Sequence, residues 1–242
     1  MPDKNLDLSN VKGGVAILPA AGKGQRFEND LAKQYQLING VPVLAHTINL
    51  FLNNDDIEKI VLVVSSDDRE YQKLACVEDK NIIIIDGGEQ RQNSVSNALR
   101  FLYDNELPDE TPVLVHDAVR PCLSRADFNK LMAAYSNKKG AYFLAERVSN
   151  SLKKLDQDLN VIENVAREDV VNALTPQMAP FITLKQAYSA TNLAGLTVTD
   201  EVAALTNVDI EVTAIIASDL NPKITYPRDL EIVQYIFNQR NS

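Results

Sequence analysis

The chain has 242 residues, 45% hydrophobic and 24% charged, proportions that suit a single α/β domain spanning residues 1–242. Its 24 basic and 33 acidic residues give a net charge of −9, which argues against a nucleic-acid backbone or an anionic membrane as partner. No apolar stretch approaches the roughly 20 residues that span a bilayer, and Met1–Asn10 has no apolar core for a signal peptide, so a cytoplasmic protein is expected.

Six apolar runs read as strands: Val15–Leu18, Ile60–Val64, Asn81–Ile85, Pro112–Val115, Ala141–Ala145 and Ile210–Ile216. Several are continuous Val, Ile and Leu, the pattern of strands covered on both faces in a parallel sheet. Helical spacing falls between them. Val43, Leu44, Thr47, Ile48, Phe51 and Leu52 follow it, and so do Val95, Ala98, Leu99 and Leu102. Ser124 with Asp127 reads as an N-cap before Phe128, Leu131, Met132 and Tyr135, and Pro227 opens a C-terminal helix through Leu230, Val233, Ile236 and Phe237. Alternating β and α elements predict a doubly wound, mostly parallel α/β sandwich. Residues 146–173 break the rhythm: they are polar, with a turn-like Asp156–Asn160, and read as a hairpin-like excursion. Such an excursion packs on another subunit or lies as a loose surface loop, and the pattern supports the two equally.

The first chemical signal is Pro19-Ala-Ala-Gly-Lys-Gly-Gln-Arg26, directly after the first strand. Gly22 and Gly24 lack a Cβ, so backbone N–H groups there can approach an anion closely. It is not a Walker A loop, because Gly24 rather than Ser or Thr follows Lys23; it is not a dinucleotide fingerprint, because Phe27 stands at the third glycine position. A glycine pair alone is most simply a tight turn. Lys23, Arg26 and Lys33 nearby, in an acidic protein, tip the reading toward an anion site.

Ligands of open α/β sheets bind beyond the carboxyl ends of the strands. Asp86-Gly-Gly-Glu-Gln-Arg91 with Ser94 follows the third strand, where Gly87 and Gly88 either admit a base close to the backbone or form a left-handed turn. His116-Asp117-Ala-Val-Arg120-Pro121 follows the fourth. Asp117 there is placed either to orient hydrated Mg²⁺ or to cap a helix, His116 reads as structural, and Arg120 is a ligand residue or a strut paired to Asp117. Together these suggest one nucleotide site. Cys76 and Cys122 form no metal or disulfide pattern and read as free thiols.

The motifs Leu18–Arg26, Lys33–Tyr35, Gly40–Thr47, Gly87–Arg91 with Ser94, Val115–Pro121, Thr175–Gln177, Thr199–Glu201 and Asn221–Thr225, then Pro227 and Asp229-Leu230, run in order over nearly the whole chain. In this they resemble the 2-C-methyl-D-erythritol 4-phosphate cytidylyltransferases of non-mevalonate isoprenoid synthesis. The resemblance implies a Rossmann-like nucleotidyltransferase sandwich with a protruding β-arm over residues 146–173, and transfer of a cytidylyl group from CTP to the polyol phosphate with release of pyrophosphate. It implies Arg26, Lys33 and Lys223 as catalytic cations. Around CTP it implies Pro19, Ala20, Ala21, Gly22, Lys23, Gly24, Gly88, Glu89, Ser94, Asp117 and Ala118. Around the polyol phosphate it implies Arg120, Thr199, and Ser151 and Arg167 reaching from the arm of a homodimer partner. Mg²⁺ or another divalent cation is expected mainly on the CTP phosphates, with Asp117 as a metal residue, directly or through water.

The chain departs from the family pattern at Ala32, where proline is usual before the lysine, at Asn150 in Ser149-Asn150-Ser151, and at Leu220 and Pro222 beside Lys223. A ribitol-5-phosphate cytidylyltransferase shares several of these signatures and is the near alternative. A non-catalytic nucleotide-binding regulator is the alternative of another class, opposed by the joint presence of Arg26, Lys33, Asp117, Arg167 and Lys223.

Overall fold

Along the first strand, β1 (Gly14–Pro19), side chains alternate between two apolar layers: Val15 and Ile17 face one, Ala16 and Leu18 the other. A strand apolar on both faces needs cover on both, and the fold supplies it. The computed structural model describes residues 6–22 and 31–240. After β1 come a small hairpin of β2 (Leu37–Ile38) and β3 (Val41–Pro42), helix α1 (Val43–Leu52), β4 (Ile57–Val64), β5 (Ile82–Asp86) and α2 (Arg91–Asp104). Next are β6 (Pro112–Val115), α3 (Arg125–Asn137), β7 (Ala141–Arg147), and the paired β8 (Leu152–Leu155) and β9 (Val161–Val165). The chain closes with β10 (Val171–Pro180), α4 (Phe181–Leu193), α5 (Glu201–Thr206), β11 (Val212–Ile216) and α6 (Pro227–Arg240).

Seven strands form the main sheet in the order β11-β7-β10-β6-β1-β4-β5. All run parallel except β10, which is antiparallel to both neighbours, β6 and β7. The chain winds from β1 outward through β4 and β5, then returns to place β6 on the other side of β1. The strand order therefore reverses between β1 and β6, the place where open α/β sheets form a crevice.

One core layer joins Val15, Ile17, Val61, Val63 and Val115 to Val95, Leu99 and Leu102 of α2 and to Phe181, Leu184 and Tyr188 of α4. The other joins Leu18, Ile60 and Leu62 to Leu44, Ile48 and Phe51 of α1 and to Phe128 and Leu131 of α3. Each fully buried Phe or Leu contributes about 1.5–3 kcal/mol of hydrophobic stabilisation. A third cluster, Ile38, Val43, Val119, Ile224, Val233 and Ile236, seats α6 and the β2–β3 hairpin beneath the loop after β6.

The expected strands and helices all form, with ends shifted by a few residues. The expected N-cap is present, with the Asp127 N–H donating to Ser124 Oγ at 3.2 Å. Five of these elements were not anticipated: β2, β3, β10, α4 and α5. The excursion is narrower than residues 146–173, because Arg147 pairs with Val171 and Ala145 with Ala173 inside the main sheet. What leaves the sheet is the β8–β9 hairpin and its stems, closed by a turn in which Asp156 accepts from the N–H groups of Asp158 and Asn160. Cys76 and Cys122 are free, as expected.

Candidate active site

The loop after β1 is held from below. Lys33–Tyr35 forms a short 3-10 turn, and the Gln34 amide donates to the carbonyls of Ala20 at 3.1 Å and Gly22 at 3.5 Å. Tyr35 anchors that turn by donating its hydroxyl to Asp68 at 2.6 Å. Ala32 lies at φ −57° and ψ 145°, the backbone that proline would impose, so its departure from the family residue leaves the chain's course unchanged. Lys23, Gly24 and Arg26 lie outside the described residues.

The loop after β5 packs against this one. Neither Gly87 nor Gly88 has a positive φ, so the left-handed turn is excluded; the glycines serve close packing instead. A Cβ on Gly87 would stand 2.4 Å from Ala21 Cβ and 2.9 Å from Ser94 Oγ, and one on Gly88 would stand 2.3 Å from Asn93 Cβ. Ser94 Oγ accepts from the Gly88 N–H at 3.1 Å and donates to the Gln90 carbonyl at 3.3 Å, so it shapes the loop that leads into α2. A capping box between Gln90 and Asn93 starts that helix.

The loop after β6 brings the charge. His116 is fully buried: Thr175 Oγ1 donates to its Nδ1 and its Nε2–H donates to the Arg120 carbonyl, both at 3.0 Å. Burial holds its pKa down at about 4, so the ring is neutral, the structural role expected of it. Asp117 caps no helix. Its Oδ1 receives Arg91 Nε at 3.3 Å, and its Oδ2 receives Arg120 Nε at 3.2 Å and Lys223 Nζ at 3.0 Å. Burial alone would raise its pKa, but Arg91, Lys223 and Arg120 outweigh burial and hold it well below the ordinary carboxylate range. Arg120 also donates to the Asn221 carbonyl at 2.6 Å and is itself buried, the geometry of a strut.

The three loops enclose a cavity of about 140 Å³ lined by Pro19, Ala20, Ala21, Gly22, Lys33, Gly88, Glu89, Ser94, Asp117, Ala118 and Lys223. Every described residue expected at CTP is in that set, together with Lys33 and Lys223, the two described lysines expected to be catalytic. Arg120, Ser151, Arg167 and Thr199 are not. Arg120 braces Asp117 from behind, Thr199 is exposed just ahead of α5, and Ser151 and Arg167 are exposed on the arm, where Arg167 donates to the Ser149 carbonyl at 2.9 Å. Residue-type reasoning missed Gln34, Gln90, Val119 and Arg91, which also line the cavity. All four stood within the motifs above, but Gln34 acts on the carbonyls of Ala20 and Gly22 and Arg91 on Asp117 and Glu201, partners distant in sequence.

The donor set does not suit a metal held by protein alone. Among the described residues no group of three or more His, Cys, Asp or Glu side chains is placed to bind one. Both oxygens of Asp117 already face cations, and three positive groups surround the position that a directly ligated ion would take.

A family model described as 2-C-methyl-D-erythritol 4-phosphate cytidylyltransferase matches residues 15–239. A protein of that description from Actinobacillus pleuropneumoniae serotype 7 is 38% identical over 225 residues, covering 93% of this chain and 96% of its own. One from Vibrio atlanticus is 36% identical over 232 residues, covering 96% and 98%. The crystal structure of the Francisella tularensis 2-C-methyl-D-erythritol 4-phosphate cytidylyltransferase superposes with a TM-score of 0.78 at 32% identity, covering 93% of this chain and 100% of that one. Among the described residues no helix is long and apolar enough to cross a membrane.

Proposed function

This chain belongs to the 2-C-methyl-D-erythritol 4-phosphate cytidylyltransferase family, and from that membership we propose how its cavity performs the reaction. The enzyme transfers the cytidylyl group of CTP to 2-C-methyl-D-erythritol 4-phosphate, a step of isoprenoid precursor synthesis. A phosphate oxygen of the polyol attacks the α-phosphorus in line; the new P–O bond forms as the bond to the β-phosphate breaks, and pyrophosphate leaves. The attacking phosphate is ionised at neutral pH, so no general base is required. What the protein must supply is the alignment of two anions and fixed positive charge at the reacting phosphorus.

The observation that carries this reading is the joint presence of Lys33 and Lys223 on one cavity at the switch point, beside a glycine-packed loop. Lys33 and Lys223 are assigned to the phosphates as catalytic cations, with Arg26 as a third. Pro19, Ala20, Ala21, Gly22, Lys23 and Gly24 are assigned to the triphosphate, and Gly88, Glu89, Ser94, Asp117 and Ala118 to the nucleoside. A divalent cation such as Mg²⁺ is assigned to the nucleotide phosphates, which bring ligating oxygens of their own. Thr199 is assigned to the acceptor side, where Arg120 acts only by bracing Asp117, and Ser151 and Arg167 act across a homodimer, carried there by the β8–β9 arm. The exposed apolar side chains Leu155, Leu159, Val161 and Ile162 on that arm support this assembly. The proposal includes a cytoplasmic location.

Pyrophosphate release with CTP tests the substrate pair. Turnover with methylerythritol phosphate and at least tenfold less kcat/KM with ribitol phosphate is expected; preference for ribitol phosphate refutes the assigned acceptor.

A further inference from the structure

Two side chains beside the cavity have no part in the chemistry above. Glu201 opens α5 with no exposed surface, and Tyr188, on α4, is almost as buried. Tyr188 donates its hydroxyl to Glu201 Oε1 at 2.7 Å. Arg91 Nη1 and Nη2 reach Glu201 Oε1 and Oε2 at 2.8 and 3.0 Å, a bidentate fork, which is the strongest geometry available to an arginine and a carboxylate.

That fork governs what Arg91 can offer the site. With both terminal nitrogens occupied, it reaches Asp117 only through Nε, at Oδ1. Asp117 Oδ2 is then left to Arg120 and to Lys223, whose ammonium it holds at 3.0 Å on the cavity wall. The charges balance in pairs: Arg91 with Glu201 and Arg120 with Asp117. Lys223 is left as the uncompensated positive group of the cluster. Were Glu201 neutral, the half-buried Arg91 charge would have Asp117 as its nearest anion. The arginine fork would then compete with Lys223 for that carboxylate.

We propose that Glu201 is a positioning residue: by gripping Arg91 it keeps Asp117 available to hold Lys223 in the cavity. The inference rests on the reading of Lys223 as a catalytic cation, and a double-mutant cycle separates the two. Turnover by the full-length enzyme is measured for Glu201→Gln, Lys223→Ala and the two combined. Lys223→Ala is expected to lower kcat about a hundredfold. Glu201→Gln is expected to lower kcat on the order of tenfold, the scale of a sub-ångström misplacement, while KM for CTP changes little. The combined variant should be no slower than Lys223→Ala alone.

Effects that multiply would mean that Glu201 acts independently of Lys223, and would overturn the proposal while leaving the role of Lys223 intact. An unimpaired Lys223→Ala enzyme would remove the reading of Lys223, and the proposal with it. Should Glu201→Gln fold poorly, the neutral pair Arg91→Gln with Glu201→Gln removes both buried charges at once. It is expected to regain thermal stability and most of the wild-type kcat, since no arginine fork then competes with Lys223 for Asp117. A pair that folds as stably as wild type yet stays on the order of tenfold slow would overturn the proposal.

Discussion

Acidification should destabilise this protein well above the pH at which its carboxylates titrate. His116 is fully buried against Phe51, with ring centroids 5.2 Å apart, and its pKa is held at about 4 by burial. In the unfolded chain the same imidazole titrates near 6.5. Between those values the unfolded state binds the extra proton, so stability rises with pH and falls as acid is added. The difference amounts to about 2 kcal/mol lost between pH 7 and pH 5, a large share of a typical stability of about 5–15 kcal/mol. The lowered carboxyl groups Asp7, Glu58, Asp117, Asp127 and Asp156 lose their contribution only as pH falls below their ordinary values of 3.8 to 4.5. The window from pH 7 to 5 therefore isolates histidine. Urea unfolding across that window should show the loss in wild type and a much flatter profile in His116→Gln. NMR of labelled histidine should show one ring neutral down to about pH 4. An ordinary titration of both rings near 6.5, or equal slopes in the two proteins, would refute the reasoning.

Other expectations follow from the loops. Gly87→Ala places a Cβ 2.4 Å from Ala21 and must push the two loops apart; KM for CTP should rise about tenfold, with about 1–3 kcal/mol of stability lost, as for overpacking elsewhere. An unchanged KM would separate this packing from nucleotide binding. Ala32→Pro fits the existing backbone and should raise stability by about 0.4–1 kcal/mol with kcat unaltered, measured by thermal and urea unfolding. Mixing Arg26→Ala chains with Arg167→Ala chains should restore activity that neither homodimer shows. A confirmed mixed dimer without rescue would end the cross-subunit role of the arm.

Much of this was legible in the chain because its strands are continuous apolar runs and its nucleotide motifs sit at their carboxyl ends. The turn Asp156–Asn160 and the cap at Ser124 were readable for the same reason: each is a local hydrogen-bonding pattern. Strand β10 was not. Its ten residues include Pro176 and Pro180 and show no alternation, and only pairing with β6 on one side and β7 on the other makes them a strand. Helix α4 did carry a signal, since Phe181, Leu184, Ala187, Tyr188 and Thr191 follow helical spacing, and all are buried. The pair Asn39-Gly40, both at positive φ, likewise marks the β2–β3 turn. The Arg91–Glu201 fork had no local signal at all, because its partners are 110 positions apart. Arg120 shows the converse: the motif pointed to a ligand contact or a strut, and its buried bonds to Asp117 and Asn221 are those of a strut.

The central claim is that turnover depends on fixed cations at the phosphates, and Lys33→Ala addresses it most directly. With CTP and methylerythritol phosphate both saturating, single-turnover measurement should show the chemical step slowed about a hundredfold or more, with CTP affinity reduced far less. A chemical step within a few-fold of wild type would contradict the account.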